Sequence, residues 1–520
     1  MPDAEAHDPT GSPIAAVPPL LDRPAPPEWR EGARPEILRL FAELAARGVR
    51  HCHFKSNIRL GETLAGLQDI DLLVDRRDQA GLLQAVAAAG FKPCLSQRGV
   101  GHPGVFHAIG LDRERGRLID LHVHFAVVGG DSLVKNTRFP LAALLLGGRR
   151  PMAGVPVPSA EAELLSFVVR VALKHTSLIE VAKINRRYGK TVAELAWLRA
   201  AADPAETDRL RVRHLPEIDD ALWTALLAAA ERRGAAAVAA RVRLGLVTAW
   251  RLRRFRRLDP VADSLSRLRR VLAWIADKAG GHGDLSPLTG GAVVAVVGPK
   301  GTGKSTLSAA VAERLGRHLD VRAMHVGKPP ATVLSALPRL FVPLARRLLP
   351  HERLSEYETP ERRRRNTFSL FHVVRMTLLA HDRRSLLRRA FRHASRGRVV
   401  VCDRYPSRTD GAIDSSRFDA AAVEAAGGGP KRWLMQAERR AYAAMPVPDI
   451  VLRLEAPLAV ALGRDATRNK AGGPDPAAVR RRWDLERMAD FPDSRVIAID
   501  TSGSLDETAA RAVAAVWEAL

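Results

Sequence analysis

One stretch constrains this chain more than any other: Gly298-Pro299-Lys300-Gly301-Thr302-Gly303-Lys304-Ser305, which follows the apolar run at 292–297 and opens the helical pattern that begins with Thr306. The spacing G-x-x-x-x-G-K-S works only between a strand and a helix. The glycines let the backbone curl until successive N–H groups point inward at an anion, and the positive end of the helix adds to the attraction. In such a loop Lys304 bridges the β- and γ-phosphates of a nucleoside triphosphate, and the Ser305 hydroxyl ligates Mg²⁺. Residues Gly298, Pro299, Lys300, Gly301, Thr302, Gly303, Lys304, Ser305 and Thr306 are therefore expected to hold ATP.

The surrounding pattern agrees with that loop. Strands are expected at 292–297, 321–326, 399–402, 450–454 and 496–499, with helical patterns between them. This alternation implies an α/β domain over 290–520, a P-loop NTPase fold with a parallel five-stranded sheet covered by helices on both faces. Its last helix carries a start signal, Ser504 followed by Glu507, the spacing of a capping box.

A chain of 520 residues is too long for a single core. Residues 1–34 are rich in Pro, Ala and acidic side chains without an apolar period and read as a disordered lead-in. A small α/β domain follows over 35–150, with strands at 50–55, 69–74, 105–109 and 118–125 and a helix at 79–89 closed by Gly90. Residues 151–285 have helical period throughout and end in a basic segment and the Gly280–Gly283 link, so a helical middle region is expected.

The net charge of +24 raises the question of a polyanionic partner. The arginines are scattered, and no RNP, zinc-finger or helix-turn-helix pattern accompanies them, which argues against nucleic acid. The segment 251–270 is the densest and suits peripheral contact with a membrane surface; Arg362–Arg365, Arg383–Arg398 and Arg480–Arg482 are further clusters. The lead-in has no apolar h-region, and no apolar run reaches 18 residues, so a cytoplasmic protein is expected. Cys52, Cys94 and Cys402 are too few and too scattered for a disulfide framework or a Cys-based zinc site.

Three further segments resemble the thymidylate kinase family, in order along 290–520. Val399-Val400-Val401-Cys402-Asp403-Arg404-Tyr405 is similar to the family's strand ending in D-R-Y. The resemblance implies that Asp403 shares Mg²⁺ with Ser305 and that Arg404 and Tyr405 meet the acceptor. Ala380-His381-Asp382-Arg383 resembles an A-D-R segment whose arginine, here Arg383, contacts the acceptor nucleotide. Pro448-Asp449-Ile450-Val451-Leu452 and the Gly/Pro-rich loop at 470–476 are similar to the family's P-D strand and mobile lid, implying that Arg464, Arg468 and Lys470 close over the phosphates. One departure concerns the acceptor: where the family's second strand leads into an R-E-P-G segment, Val321 to Pro330 here reads VRAMHVGKPP, with Lys328 as a substitute phosphate contact.

In the small domain, Asp69-Ile70-Asp71 puts two carboxylates on one strand face and Ile70 on the other, and Asp120 similarly opposes Ile119 and Leu121. Three carboxylates on one sheet face can clamp a pair of divalent cations for in-line nucleotidyl transfer. The pattern resembles the nucleotidyltransferase superfamily, with Lys55-Ser56-Asn57 standing where that superfamily has a Gly-Ser turn. The pairs His51/His53 and His122/His124 each share a strand face, a spacing that also suits a transition metal.

Together these features lead to an ATP- and Mg²⁺-dependent phosphotransferase acting on a nucleoside monophosphate-like acceptor, fused to a nucleotidyltransferase-like domain and compatible with a homodimer. Two other assignments use the same residues: an ATPase switch docking an anionic partner through the basic segment, and a kinase of a non-nucleotide phosphorylated metabolite.

Overall fold

The computed structural model describes residues 27–96, 101–102, 104–177, 180–182, 188–232, 234–280, 283, 285–339, 368–412, 414–466 and 476–520. The chain divides into two compact units, one comprising residues up to Lys92, Val100–Gly110 and Ile119–Ile275, the other Pro93–Gly99, Leu111–Leu118 and Ala276–Leu520. In chain order the strands are β1 (His51–His53), β2 (Ile70–Val74), β3 (Lys92–Ser96), β4 (Val105–Asp112), β5 (Arg117–His124), β6 (Val127–Gly129), β7 (Thr137–Phe139), β8 (Arg149–Met152), β9 (Val155–Pro158), β10 (Leu285–Pro287), β11 (Ala292–Val297), β12 (Val321–His325), β13 (Val399–Asp403), β14 (Ile450–Glu455) and β15 (Arg495–Asp500).

In the first unit the strand order is β1-β2-β5-β4. β1 runs antiparallel to β2, and β2 parallel to β5 with Asp71 opposite His122. The period of two divides the sheet. Ile70, Leu72, Val74, Ile119, Leu121 and Val123 join a core with Ile37, Leu40 and Leu82 from the helices Pro35–Ala46 and Gln79–Ala88. The opposite face carries Asp71, Asp120, His122 and His124.

The sheet and the helical region share a core. Cys52, Phe54, Leu73, Val127 and Phe139 pack in one cluster with Leu165, Val169, Leu195 and Trp223 of the helices Ala160–Lys174, Tyr188–Ala201 and Asp220–Glu231. The regions expected as separate domains at 35–150 and 151–285 are thus one body, because the sheet's second face needs a helical layer to cover its apolar residues. The helix Pro27–Glu31 also falls inside the stretch expected to be disordered, and Trp29 packs against this unit's core.

Glu163 lies in the buried face of the helix Ala160–Lys174, and burial pushes its carboxyl up to about 7, with Asn57 offsetting only a fraction of that effect. A raised folded-state value means that the native state holds a proton the unfolded chain has lost. The stability is therefore present below the ordinary value of 4.5 and is lost as pH rises toward 7. Glu163→Gln should remove that slope, melting with the parent at pH 4.5 and above it at pH 8, by an amount on the order of 3 kcal/mol; parallel melting curves at both pH values would refute the assignment.

The basic segment at its C-terminal end is largely tied back to the same unit. Arg251 pairs with Asp219 at 3.1 Å, Arg254 with Glu217, and Arg267 with Asp131 at 2.9 Å and Asp263 at 3.1 Å. The helix Pro260–Gly280 leaves Val261, Leu265, Leu268 and Leu272 exposed. Arg362–Arg365 lie outside the described residues. Among the described residues no helix is long and apolar enough to cross a membrane.

The second unit contains a five-stranded sheet in the order β12-β13-β11-β14-β15, with every pairing parallel. All five strands occupy the segments expected from the sequence, to within a residue at either end. β11 is central and all six of its residues are buried, as a strand covered on both faces must be. The helix Leu505–Ala519 starts with the full capping box of Ser504 and Glu507. In the same unit β10 pairs antiparallel with β3. β3, the hairpins β6–β7 and β8–β9, and β10 have no counterpart among the strands expected from the sequence; they are three to five residues long, and several contain proline, so no alternation marks them.

Candidate functional site

In the second unit the end of β11 feeds a loop that only glycine can form at two points. Gly298 has φ +143°, and a Cβ there would lie 2.6 Å from the Leu454 carbonyl oxygen; Gly301 has φ +89° and faces the Ala461 backbone at still closer range. The Thr302 hydroxyl donates to the Pro299 carbonyl at 2.8 Å, and the helix Lys304–Gly316 begins directly after Gly303. Lys300 and Thr306 are exposed at the edge of the loop. Lys304 is buried, and its ammonium donates to the carbonyl oxygens of Gly298 at 2.8 Å and Pro299 at 2.7 Å. Burial pushes it down to about 8; Glu486 opposes that shift and Arg404 adds to it. The result is a cation held inside a ring of backbone groups, the geometry of a phosphate cradle.

The parallel register brings a second group of side chains to this loop. Asp403 stands opposite Val296 of β11 on one side and His325 of β12 on the other. The Ser305 hydroxyl donates to Asp403 Oδ2 at 2.7 Å, and His325 Nδ1 lies 3.1 Å from the same oxygen. Asp403 Oδ1 is buried with no hydrogen-bond partner among the described residues. A hydroxyl and a carboxylate with an unused oxygen form an oxygen donor set, which fits a hard divalent cation such as Mg²⁺.

The remaining sequence-derived residues divide. Arg404, at φ +71°, is half-exposed beside this loop, and its guanidinium donates to Asp414 Oδ2 at 3.4 Å. Gly327 permits that placement, since a Cβ there would fall 2.7 Å from Arg404 Cδ. Arg383, expected to face an acceptor, is buried: it pairs with Asp414 and donates to the Val326 carbonyl at 3.3 Å and the Tyr442 hydroxyl at 2.6 Å. Tyr405 is also buried, and its hydroxyl donates to the Pro446 carbonyl at 2.7 Å. Asp382 accepts from Thr332 Oγ1, Ser335 Oγ and Arg339 Nη2, each at 2.7 Å, fastening the chain after β12 to the helix Leu370–Ala394. Asp449 accepts from the Val293 amide at 2.7 Å and so anchors the start of β11. Arg464 donates to the Thr501 carbonyl at 2.8 Å, Lys328 is exposed, and Arg468 and Lys470 lie outside the described residues.

The first unit holds a separate polar cluster. Lys55, in the turn after β1, donates to Asp71 Oδ1 at 2.7 Å and to His124 Nε2 at 3.1 Å. Ser56 follows it in the left-handed region, φ +53°, and Asn57 is fully buried against His53, with Nδ1 of His53 2.6 Å from Asn57 Oδ1. His51 is likewise taken by the Val49 carbonyl at 2.7 Å, so the first H-x-H pair belongs to the framework. His122 stands among all three expected carboxylates, 3.1 Å from Asp120, 3.7 Å from Asp71 and 3.9 Å from Asp69. Burial disfavours its charged form, but Asp120 and Asp71 outweigh that and push it up to about 10. Burial and then Lys55 drive His124 the other way, to about 3. Burial works to raise Asp71, yet Lys55 and the two imidazoles hold it well below the usual carboxylate range.

The sequence pattern leads one to expect Asp69, Asp71 and Asp120 to share a pair of divalent cations. Among the described residues the sets close enough to hold one ion are Asp71-His122-His124 and His107-Asp120-His122, so imidazoles enter both and the three carboxylates alone form neither. The physical reason is Lys55, whose ammonium already neutralises Asp71, and His122, whose ring projects into the space between the acids.

No family model matches the chain. An uncharacterized ATP-binding protein, YghR, from Escherichia coli strain K12 is 27% identical over 231 residues, 43% of this chain and 86% of that protein. The YghR of Escherichia coli O6:H1 strain CFT073 matches to the same extent. Among solved structures, a sugar kinase from Janibacter sp. HTCC2649 aligns at 16% identity over 44% of this chain and 94% of its own, with a TM-score of 0.23. A thymidylate kinase from Candida albicans aligns at 15% identity over 44% of this chain and 90% of its own, also with a TM-score of 0.23. Likeness at that level carries no argument about acceptor or mechanism.

Three residues of these sites have no signal in the sequence. His107 is a lone histidine in an apolar strand, and only the adjacency of β4 to β5 brings it to Asp120. Asp414 sits in an irregular loop, 31 residues from the arginine it binds. Glu486 acts on Lys304 from the distant helix Pro476–Arg487.

Proposed function

We propose that the second unit is an ATP- and Mg²⁺-dependent phosphotransferase whose acceptor is a phosphorylated small molecule of the nucleoside monophosphate kind. The observation that carries this reading is the glycine-shaped loop with the Lys304 ammonium inside it and the Ser305–Asp403 oxygen pair beside it. The ATP-binding description of YghR agrees with it. In this reading the backbone N–H groups of 298–305 receive the phosphates, and Lys304 exchanges its two carbonyl partners for phosphate oxygens. Ser305 and Asp403 would hold Mg²⁺, which when bound neutralises charge on the transferred group. Arg404, fixed by Asp414, meets the acceptor's phosphate, and Arg464 with Arg468 closes the site against water.

A specific observation favours an acceptor other than dTMP. The R-E-P-G segment is missing from Val321 to Pro330, and Arg383, the resemblance's second acceptor contact, is committed to Asp414 and Tyr442. A sugar phosphate or a related metabolite then fits as well as a nucleotide.

The test is ADP release from MgATP by the full chain against a panel of nucleoside monophosphates and sugar phosphates. Saturable stimulation by one acceptor is the expected result and names the acceptor. Turnover that no phosphorylated acceptor stimulates would sink the phosphotransferase reading in favour of an ATPase switch.

A further inference from the structure

We infer that the first unit binds one divalent transition-metal ion between His107, Asp120 and His122. The three donors come from two adjacent strands, β4 and β5, whose backbones fix their spacing. His107 Nδ1 lies 3.1 and 3.2 Å from the two Asp120 oxygens, and His122 Nε2 lies 3.1 Å from Asp120 Oδ2. A tetrahedral ion with metal–ligand distances of about 2.0–2.1 Å places its ligands about 3.3 Å apart. The two separations to Asp120 are close to that edge length, and all three donor atoms lie within 4.8 Å of one another, so an ion can replace the ring protons that point at Asp120. Asp69 offers a fourth donor from the loop before β2, with Oδ2 3.9 Å from His122 Nε2.

The surroundings favour the same conclusion. The other nitrogen of His122 lies 3.7 Å from Asp71 Oδ1, the carboxylate partner that commonly orients a metal-bound imidazole. Asp71 Oδ1 already accepts from the Lys55 ammonium at 2.7 Å, which sets this carboxylate apart as the charge partner of Lys55. Lys55 therefore supplies the positive charge at one end of the cluster and the metal supplies it at the other. The rings of His107 and His122 meet edge to face with centroids 4.3 Å apart, and their side chains remain 31% and 25% exposed, which leaves an entry path. Two imidazoles with one or two carboxylates favour zinc or iron over Mg²⁺, which demands a near-octahedral shell and keeps to oxygen ligands. The site departs in this respect from the paired hard cations expected of a nucleotidyl transfer centre.

This inference is independent of the phosphotransfer reading, and the experiment separates the two. Untagged full-length protein is stripped with a chelator and titrated with Co²⁺ and Zn²⁺ in the presence of excess Mg²⁺, following visible absorption and heat. One equivalent of Zn²⁺ or Co²⁺ per chain is expected, with tetrahedral cobalt absorption. His107→Ala and Asp120→Ala should each weaken binding by more than the roughly 100-fold that loss of an outer-shell partner can cost, while Lys304→Ala keeps the full equivalent. His107 sits at the rim of the cluster, so its variant remains informative if Asp120→Ala does not fold. No saturable binding by the parent chain, unchanged affinity in His107→Ala, competition by Mg²⁺, or loss of the ion in Lys304→Ala would each overturn the inference.

Discussion

Lys304→Ala is expected to lower MgATP turnover by about 10³-fold, the scale on which removal of a preorganised charged donor acts at a phosphoryl or oxyanion site. The expectation rests on preorganisation. The ammonium is already inside the loop, 2.8 and 2.7 Å from the Gly298 and Pro299 carbonyls, so phosphate meets a charge in place once those two partners are exchanged. Its value near 8 adds a pH signature. In the free protein the charge that attracts ATP is lost as pH rises through 8, so ATP affinity should fall on the alkaline side, and binding there should take up a proton. A steady-state pH series with isothermal titration in two buffers reads both effects. Turnover of Lys304→Ala within tenfold of the parent, or ATP affinity flat from pH 7 to 10, would remove Lys304 from the mechanism.

Arg383→Met should destabilise the second unit by about 3–5 kcal/mol, the cost of leaving a buried partner charge alone. Arg383 and Asp414 are 4% and 7% exposed, and the same guanidinium also serves the Val326 carbonyl and the Tyr442 hydroxyl. For a domain of this size that loss corresponds to a melting shift of about 10 °C, measurable by circular dichroism. The sign of a second effect separates structure from recognition. If Arg383 contacted the acceptor, the variant would keep its melting temperature and raise KM for the acceptor; the buried pair requires the opposite order of effects.

Lys304 and Arg383 mark the two extremes of what the sequence makes legible. The loop at 298–305 and the strand before it are local in sequence, so motif and period agree, and all five strands of the sheet lie where the pattern puts them. Arg383 belongs to a recognisable segment, but its burial depends on Asp414, in a loop whose backbone is irregular and whose φ is +64°. A motif can name a residue type without naming its partner. Asp449 is a similar case: the P-D pair reads as a family signature, and its physical task is to accept the Val293 amide. In the first unit the alternation of β2 and β5 correctly separates acids from apolar residues. It cannot foresee that the ring of His122 fills the gap between those acids, nor that His107 joins from the next strand, since register between strands is not written in either strand alone.

The interior shared by Cys52, Phe54 and Leu73 with Leu165, Val169 and Trp223 also bears on heredity. A genetic crossover near residue 150 would separate a pair of surfaces that have no meaning singly, and each product would carry a bare oily face. The sheet and its helical cover can therefore be inherited, lost or traded only together, with the acids and histidines of the sheet travelling with them.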